Sequence, residues 1–141
     1  MSGTDARALV RGFYANFDAG QIEAALSAFS DKLETTDPGM GTVHGLEPFR
    51  EYLETLKRAL PDAEAIIDTF HEAGDVMVVE GRFVGTFTGP LAGPDGDAEP
   101  TGARVELRFA DVSRVDGDAI VSYHTYYDQL SLLTQLGLME G

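Results

Sequence analysis

The apolar residues in the first sixty positions recur every three or four residues, the spacing typical of helices with one buried face. The first stripe comprises Leu9, Val10, Phe13, Tyr14 and Phe17. It predicts a helix that is capped by Thr4 or Asp5 and ends at Gly20. A shorter helical stripe follows at Ile22, Ala25, Leu26 and Phe29. A third helix is predicted over 46–60, where Pro61 ends it.

After Pro61 the apolar period shortens to about two residues, which indicates β-strands. Strands are predicted over 63–70, 76–88, 104–115 and 119–128, with a shorter one over 33–37. Turn residues between the later strands predict antiparallel pairing. The segment 129–136 is predicted to be a short closing helix, ended by Gly137.

Helices followed by long strands define an α+β fold in which the helices cover one face of the sheet. We expect a curved, mostly antiparallel sheet that forms a cone-shaped apolar pocket with the helices. The length of 141 residues fits a single domain over 1–141.

The net charge of the chain limits the classes of partner that it is expected to bind. A formal net charge of −14 repels phosphate, so neither nucleic acid nor an anionic membrane is an expected partner. The N-terminal region lacks the apolar core of a signal peptide, and the cytoplasm is the expected location. Cysteine is absent, which excludes thiolate metal sites and cysteine nucleophiles. The histidines have no metal-ligand spacing, so no metal site is predicted.

Strand alternation identifies candidate acids, because residues two apart share a face. Asp111 shares the apolar face of its strand with Val105, Leu107, Phe109 and Ser113. The same alternation predicts that His124, Tyr126 and Asp128 project together into the pocket. An acid on such a face has either a raised pKa or hydrogen-bond partners. Asp37 precedes Pro38 and is either an acid at the pocket mouth or a turn residue.

Several segments together resemble the SnoaL-like polyketide cyclase family of the NTF2-like superfamily, which includes ketosteroid isomerase-like proteins. They are FYANFDAGQ at 13–21, GLEPFREY at 45–52, DVSRVDG at 111–117 and YDQLSLLTQLG at 127–137. The last segment is the most specific of these. The resemblance extends over almost the whole chain.

The resemblance implies acid–base catalysis without a metal or organic cofactor. It implies that Asp128 is the general acid/base of an intramolecular aldol cyclisation, or of an isomerisation, of a hydrophobic carbonyl compound. It implies further that Asp37 corresponds to the isomerase base and Asp111 to the isomerase hydrogen-bond donor, and His124 is a further catalytic candidate. The expected substrate-binding residues are Phe13, Tyr14, Phe17, Phe49, Tyr52, Phe109 and Tyr126.

Two alternatives to a cyclase stay open at this point. One is a protein that binds a small hydrophobic, aromatic or polycyclic ligand without catalysis. The other is a hydrolase of the limonene-epoxide type, for which Arg82 is the arginine to test. Steroid isomerisation is not expected, because one helical step turns Tyr14 away from the position of the isomerase tyrosine, which Phe13 occupies.

A homodimer is the expected assembly. The alternation places Val121, Tyr123, Thr125 and Tyr127 on the outer face of the sheet. An exposed apolar stripe of this size is typical of an interface between two copies of a chain.

Overall fold

The computed structural model describes residues 5–93 and 96–139. Its elements are α1 (Ala6–Asp18), α2 (Ile22–Leu26), β1 (Phe29–Asp37), β2 (Gly41–His44), α3 (Leu46–Ala59), β3 (Glu64–Ala73), β4 (Val76–Thr86), β5 (Arg104–Asp116), β6 (Ala119–Tyr127) and α4 (Gln129–Leu136). The α+β order predicted from the hydrophobic pattern is confirmed. The short strand β2 was not predicted, and β1 begins at Phe29, four residues before its predicted start.

Within the described residues the strands form one curved sheet in the order β2-β1-β6-β5-β4-β3. Every neighbouring pair is antiparallel except β1 and β6, which run parallel. The sheet does not close into a barrel, since β2 and β3 lie at its two edges. The helices pack against its inner face, as the one-sided apolar stripes require.

Local sequence signals set the ends of the helices. The Asp5 carboxylate accepts a hydrogen bond from the backbone N–H of Arg7 at the start of α1, whereas Thr4, the other predicted cap, lies outside the described residues. Gly137 follows α4 with a φ of 79°, a conformation that favours glycine. The helix α4 ends at Leu136 as predicted, and α1 and α3 end within two residues of their predicted ends.

The orientation predicted for β6 is wrong beyond its first residues. Arg114 pairs with Ser122 and Val115 pairs with Ile120, so Val121 is an extra residue that forms a β-bulge. A bulge of one residue exchanges the two faces of the strand downstream. Ile120 and Tyr123 consequently both face the core.

This exchange also removes the predicted dimer surface. Tyr123 and Thr125 are buried, and Tyr127 is half-buried on the inner face. The side chains that β6 presents on its outer face are instead those of His124 and Tyr126.

An aromatic cluster between the helices and the sheet forms the centre of the core. Phe13, Phe29, Phe49 and Tyr123 pack with ring centroids 4.7–6.0 Å apart. Burial of each ring contributes about 1.5–3 kcal/mol to stability. In residues 5–93 and 96–139, no helix combines the length and apolar character needed to cross a bilayer.

Candidate functional site

An apolar cavity of about 70 Å³ lies between the helices and the inner face of the sheet, partly open to solvent. The predicted residues Phe13, Tyr14, Phe17, Tyr52 and Phe109 line it. The rest of its wall comprises Leu53, Leu56, Ala65, Phe83, Leu107, Asp111, Tyr123, Thr125, Tyr127 and Leu132. Asp111 is the charged side chain in this set of lining residues.

Two tyrosine hydroxyls bind the carboxyl of Asp111. The Tyr14 hydroxyl donates to Oδ2 at 2.6 Å, and the Tyr123 hydroxyl donates to the same oxygen at 2.8 Å. The Asp111 residue is only 2% exposed. Its second oxygen, Oδ1, is buried without a hydrogen-bond partner among the described residues. Asp111 is thus a lining residue of the cavity whose carboxyl has one oxygen without a hydrogen bond.

Burial raises the pKa of Asp111 to about 6, because desolvation disfavours the charged form. Thr125, Tyr14 and Tyr123 oppose that rise by interacting with the carboxylate, and the nearby charge of Asp37 adds to it. Thr125 is the cross-strand partner of Asp111, although no well-formed hydrogen bond joins their side chains. At neutral pH the group is mostly ionised and is a stronger base than an exposed aspartate.

Tyr14 lines the cavity beside Phe13, as predicted, although one helical step separates the two residues. Val10, Phe13, Tyr14 and Phe17 are all buried, so the apolar stripe of α1 is wide enough to include neighbouring positions. The helix directs both Phe13 and Tyr14 at the cavity, and only Tyr14 carries a hydroxyl. Burial, followed by the charge of Asp111, raises the pKa of this hydroxyl well above its usual value.

Asp37 is a buried turn residue that lies behind Tyr52 and Tyr127, two of the residues that line the cavity. Its Oδ2 accepts hydrogen bonds from the backbone N–H groups of Gly39 and Met40, which holds the turn between β1 and β2. Its Oδ1 is buried without a well-formed hydrogen bond to any described group. Burial, together with the neighbouring Asp37 carboxylate, raises the pKa of the Tyr52 and Tyr127 hydroxyls. Asp37 is not itself one of the residues that line the cavity.

Asp128 lies at the surface. It is the N-cap residue of α4, and its Oδ1 accepts a hydrogen bond from the backbone N–H of Ser131 at 3.1 Å. The predicted orientation of its carboxylate into the pocket is therefore wrong, for the same reason as for the rest of β6. The catalytic role that the resemblance implies for Asp128 stays a prediction.

The bulge in β6 removes His124 and Tyr126 from the predicted site as well. The His124 ring lies half-buried beside Glu34 at 3.4 Å on the outer face. Tyr126 is 52% exposed. Phe49 faces inward as predicted, but it is completely buried in the aromatic cluster and is not among the residues that line the cavity.

Sequence reasoning missed the residues that the bulge turns inward, namely Tyr123, Thr125 and Tyr127. Both faces of β6 carry aromatic residues, so alternation alone could not decide between them. A usable signal was the buried acid on the neighbouring strand. A carboxylate on the apolar face of β5 needs donors from the strands beside it, and Tyr123 is one such donor.

Two further sites considered from the sequence are an arginine-centred hydrolase site and a metal site. Arg82 makes a two-pronged ion pair with Asp68, at 3.0 and 3.1 Å, and is not among the residues that line the cavity. The arginine-centred site of an epoxide hydrolase is therefore not formed around this cavity. In the part of the chain that the structure describes, no group of three or more histidine and carboxylate side chains is arranged to hold a metal ion.

The sequence profile of the SnoaL-like polyketide cyclases matches residues 8–136, which is most of the chain. The chain belongs to the SnoaL-like polyketide cyclase family. No curated protein sequence gives a significant match. The predicted family is thus confirmed by the profile and by the fold.

This SnoaL-like chain has the same fold as several proteins of known structure. AclR from Streptomyces galilaeus shares 18% identity and a TM-score of 0.83, over 96% of this chain and 83% of AclR. A ketosteroid isomerase-like protein from Catenulispora acidiphila, in complex with trimethylamine, shares 22% identity and a TM-score of 0.75, over 93% of each chain. TerC, crystallised with polyporic acid, shares 19% identity and a TM-score of 0.75, over 94% of this chain and 98% of TerC. At these identities the likeness shows the fold alone.

Proposed function

We propose that this SnoaL-like protein is a cofactor-independent enzyme that removes an acidic proton from a hydrophobic carbonyl compound, with Asp111 as the base. The observation that carries the proposal is a buried carboxyl, that of Asp111, among the residues that line an apolar cavity, with one oxygen that makes no hydrogen bond. A carboxylate with a pKa of about 6 is closer to the ideal base for neutral pH than an exposed aspartate.

The proposed step transfers a proton from the carbon next to a carbonyl group to Oδ1 of Asp111. The electron pair of the broken C–H bond moves into the carbonyl group and forms an enolate. The enolate carbon then attacks a second carbonyl carbon of the same molecule, which closes a ring. The new alkoxide takes the proton from Asp111, which restores the carboxylate. Return of the proton from Asp111 to a different carbon would instead give an isomer.

Tyr14 and Tyr123 assist this step through hydrogen bonds to Oδ2, the other oxygen of the Asp111 carboxylate. While Asp111 is ionised, both hydroxyls donate to Oδ2 and hold the group in position. Once Asp111 has taken a proton, its attraction for the two hydroxyl protons weakens. Either hydroxyl is then available to stabilise the enolate oxygen by hydrogen bonding.

The size of the cavity limits how a substrate enters. Its volume of about 70 Å³ is smaller than the roughly 150 Å³ of an engineered cavity that binds benzene. A ligand with several rings, such as the polyporic acid with which TerC was co-crystallised, would have to extend through the opening or displace side chains. We expect the acidic end of the substrate to reach Asp111 while the remainder stays near the entrance.

Proton exchange tests the proposal without knowledge of the natural substrate. 2-Tetralone, a hydrophobic ketone with acidic α-protons, is incubated with the protein in D₂O, and replacement of those protons is followed by NMR. We expect Asp111→Asn to slow the enzymatic exchange by about 10²–10⁴-fold, which is the usual contribution of a positioned base. Asp128→Asn is the matched control, because the same change is made to an exposed carboxylate.

The outcome separates the two acids. Loss of exchange in Asp111→Asn alone supports the proposal. Loss in Asp128→Asn alone would transfer the role to Asp128, as the family resemblance implies. Equal exchange in the wild type and in both variants would overturn acid–base catalysis by either residue.

A second candidate function is binding without catalysis, with a small amine as the ligand. Aromatic faces attract cations, and Asp111 is a negative group on an aromatic wall that contains no lysine, arginine or histidine. The trimethylamine bound to the Catenulispora acidiphila protein supports this class of ligand. Titration with trimethylammonium and with uncharged tert-butanol of similar shape tests it, because only the cation should bind in a way that depends on Asp111.

A cytoplasmic homodimer remains part of the proposal, although the surface first predicted for it faces inward. The exposed ring of Tyr126 on the outer face of the sheet supports an interface there. Sedimentation of the wild type and of Tyr126→Glu tests it. A monomeric wild type would contradict the dimer, and a dimeric Tyr126→Glu would contradict this choice of surface.

A further inference from the structure

Lys57 joins three elements that surround the cavity. It lies in the last turn of α3, and its ammonium donates hydrogen bonds to the carbonyl oxygens of Asp18 at 3.0 Å and of Ala63 at 2.7 Å. A longer contact of 3.5 Å reaches the carbonyl oxygen of Pro61. Asp18 is the last residue of α1, and Ala63 directly precedes β3. One side chain of α3 therefore binds both the end of α1 and the start of β3.

The side chain of Asp18 adds a direct link between α1 and β3. Its Oδ1 accepts a hydrogen bond of 2.8 Å from the backbone N–H of Ala65. Since β3 is an edge strand of the sheet, this carboxylate gives the first residues of the strand a partner from a helix. In the described part of the chain, no other hydrogen bond joins α1 to α3 or to β3. Lys57 and Asp18 thus form a clamp between these three elements.

The clamp lies next to the apolar wall of the cavity. Three lining residues, Phe17, Leu56 and Ala65, are either contacts of the clamp or sequence neighbours of its two residues. The ammonium of Lys57 lies over the ring of Phe17, 5.1 Å from its centroid. Phe17 in turn packs against Phe83 of β4, with the ring centroids 6.3 Å apart. The position of this part of the wall therefore depends on the clamp.

The hydrogen bonds of Lys57 are those of a partly buried cation. Burial lowers the pKa of its ammonium, whereas the charges of Asp18, Asp62 and Glu64 oppose this change. Hydrogen bonds from a charged donor are stronger than those between neutral groups, and the carbonyl groups at the end of a helix attract a cation. Removal of the ammonium would leave the end of α1 and the start of β3 without this common partner.

We propose that the clamp of Lys57 and Asp18 sets the separation of α1, α3 and β3, and thereby the size of the ligand that the cavity admits. Both are positioning residues, because neither lines the cavity and both act through residues that do. The inference rests on the proposed function in that the ligand enters this cavity, and it adds the residues that determine ligand size. With the clamp intact, the cavity of about 70 Å³ favours the smaller of two related ligands.

Two methyl ketones of different size test this role. Acetophenone has one aromatic ring and 2-acetylnaphthalene has two fused rings, and neither compound carries a charge. Their affinities are measured by NMR titration of the wild type and of Lys57→Met, which keeps a long side chain but removes the ammonium. We expect the affinity for 2-acetylnaphthalene relative to acetophenone to rise by about tenfold in Lys57→Met, since even one added group in a hydrophobic pocket changes discrimination by roughly 10–200-fold.

Arg58→Met is the matched control. It removes a positive charge from the next residue of α3, which is exposed and pairs with Asp97 at 3.1 Å. This variant should keep the wild-type ratio of the two affinities. The ratio also separates positioning from a loss of stability, because partial unfolding weakens the apparent binding of both ketones by the same factor.

Variants of Asp18 protect the test against a Lys57→Met protein that does not fold. Asp18→Ala removes the acceptor for the N–H of Ala65 but leaves the backbone carbonyl that Lys57 binds. We expect the ratio to shift in the same direction by a smaller factor. Asp18→Asn retains an oxygen that accepts this hydrogen bond and should keep the wild-type ratio.

The outcomes distinguish this inference from the proposed enzyme activity. An unchanged ratio in Lys57→Met, or in Asp18→Ala where Lys57→Met does not fold, would overturn the inference even if proton exchange of 2-tetralone is observed. An equal shift in Arg58→Met, or no binding of either ketone to the wild type, would overturn it as well. A shift confined to the clamp variants would support it even if no exchange occurs. In that case only the enzymatic proposal fails.

Discussion

Asp111 lies on β5, and Asp128 comes directly after the neighbouring strand β6. The two carboxyls nevertheless have opposite surroundings. Asp111 is buried on the inner face of β5, where two tyrosines hold it beside a cavity. Asp128 is exposed after β6 and satisfies the first turn of α4. The family motif draws attention to Asp128, whereas the physical environment favours Asp111. A carboxyl group acquires base chemistry from burial and from its partners rather than from its place in a motif.

The largest expected difference between the two acids is in the pH dependence of stability. Folding raises the pKa of Asp111 from 3.8 to about 6, so the folded state favours the protonated form. Its contribution to stability is fully present below about pH 4 and is lost as pH rises through about 6. This pKa difference corresponds to about 3 kcal/mol in the free energy of unfolding.

Denaturant unfolding between pH 4 and pH 8 measures this contribution. Subtracting the curve of Asp111→Asn from that of the wild type removes the contributions of the other carboxyls. We expect the difference to change by about 3 kcal/mol, with the wild type relatively more stable at the acidic end. The free energy of unfolding of Asp128→Asn should change with pH in the same way as that of the wild type. If the difference in the free energy of unfolding between the wild type and Asp111→Asn does not change with pH, folding does not raise the pKa of the Asp111 carboxyl.

A somewhat smaller effect is expected when one of the two tyrosine donors is removed. Tyr14→Phe or Tyr123→Phe leaves the ring in place and deletes one hydrogen bond to a buried carboxylate. At pH 8 each change should reduce the free energy of unfolding by about 1.5–3 kcal/mol. Around pH 4, where Asp111 is neutral, the loss should be smaller.

The double variant sharpens this prediction. Both hydroxyls donate to the same oxygen of Asp111, so their effects should not be additive. A double-mutant cycle at pH 8 measures the coupling between them. Additive losses that do not depend on pH would mean that the hydroxyls contribute through packing and not through the carboxylate.

The hydrophobic pattern was sufficient to predict most of the fold and the position of Asp111. The period changes from about 3.6 to two at Pro61, and the helix-ending glycines lie where a left-handed residue is needed. The alternation in β5 is unbroken, so the inward orientation of Asp111 could be inferred from Leu107 and Phe109 on the same face. Tyr123 could not be assigned in this way, since its face depends on the bulge at Val121.

The bulge leaves no clear signal in the sequence because both faces of β6 tolerate aromatic side chains. Its existence depends on how β6 pairs with strands on both sides, and the shift in register is seen against β1 as well as β5. The contact between the Tyr14 hydroxyl and Asp111 could not be predicted from the helix alone. A helical step of 100° separates neighbouring residues on an isolated helix, but the curved sheet surrounds α1 widely enough to bury both Phe13 and Tyr14.

The smallest expected effect concerns Asp128 and its cap. Asp128→Ala removes the acceptor for the backbone N–H of Ser131 and should cost about 1 kcal/mol in the free energy of unfolding. Asp128→Asn should lose less, because asparagine is also a good cap. Proton exchange of 2-tetralone should be unchanged in both, since Leu132 and not Asp128 is the residue near this end of α4 that lines the cavity. A marked loss of exchange in Asp128→Asn, with stability intact, would contradict the division between a buried carboxyl at the cavity and a structural cap.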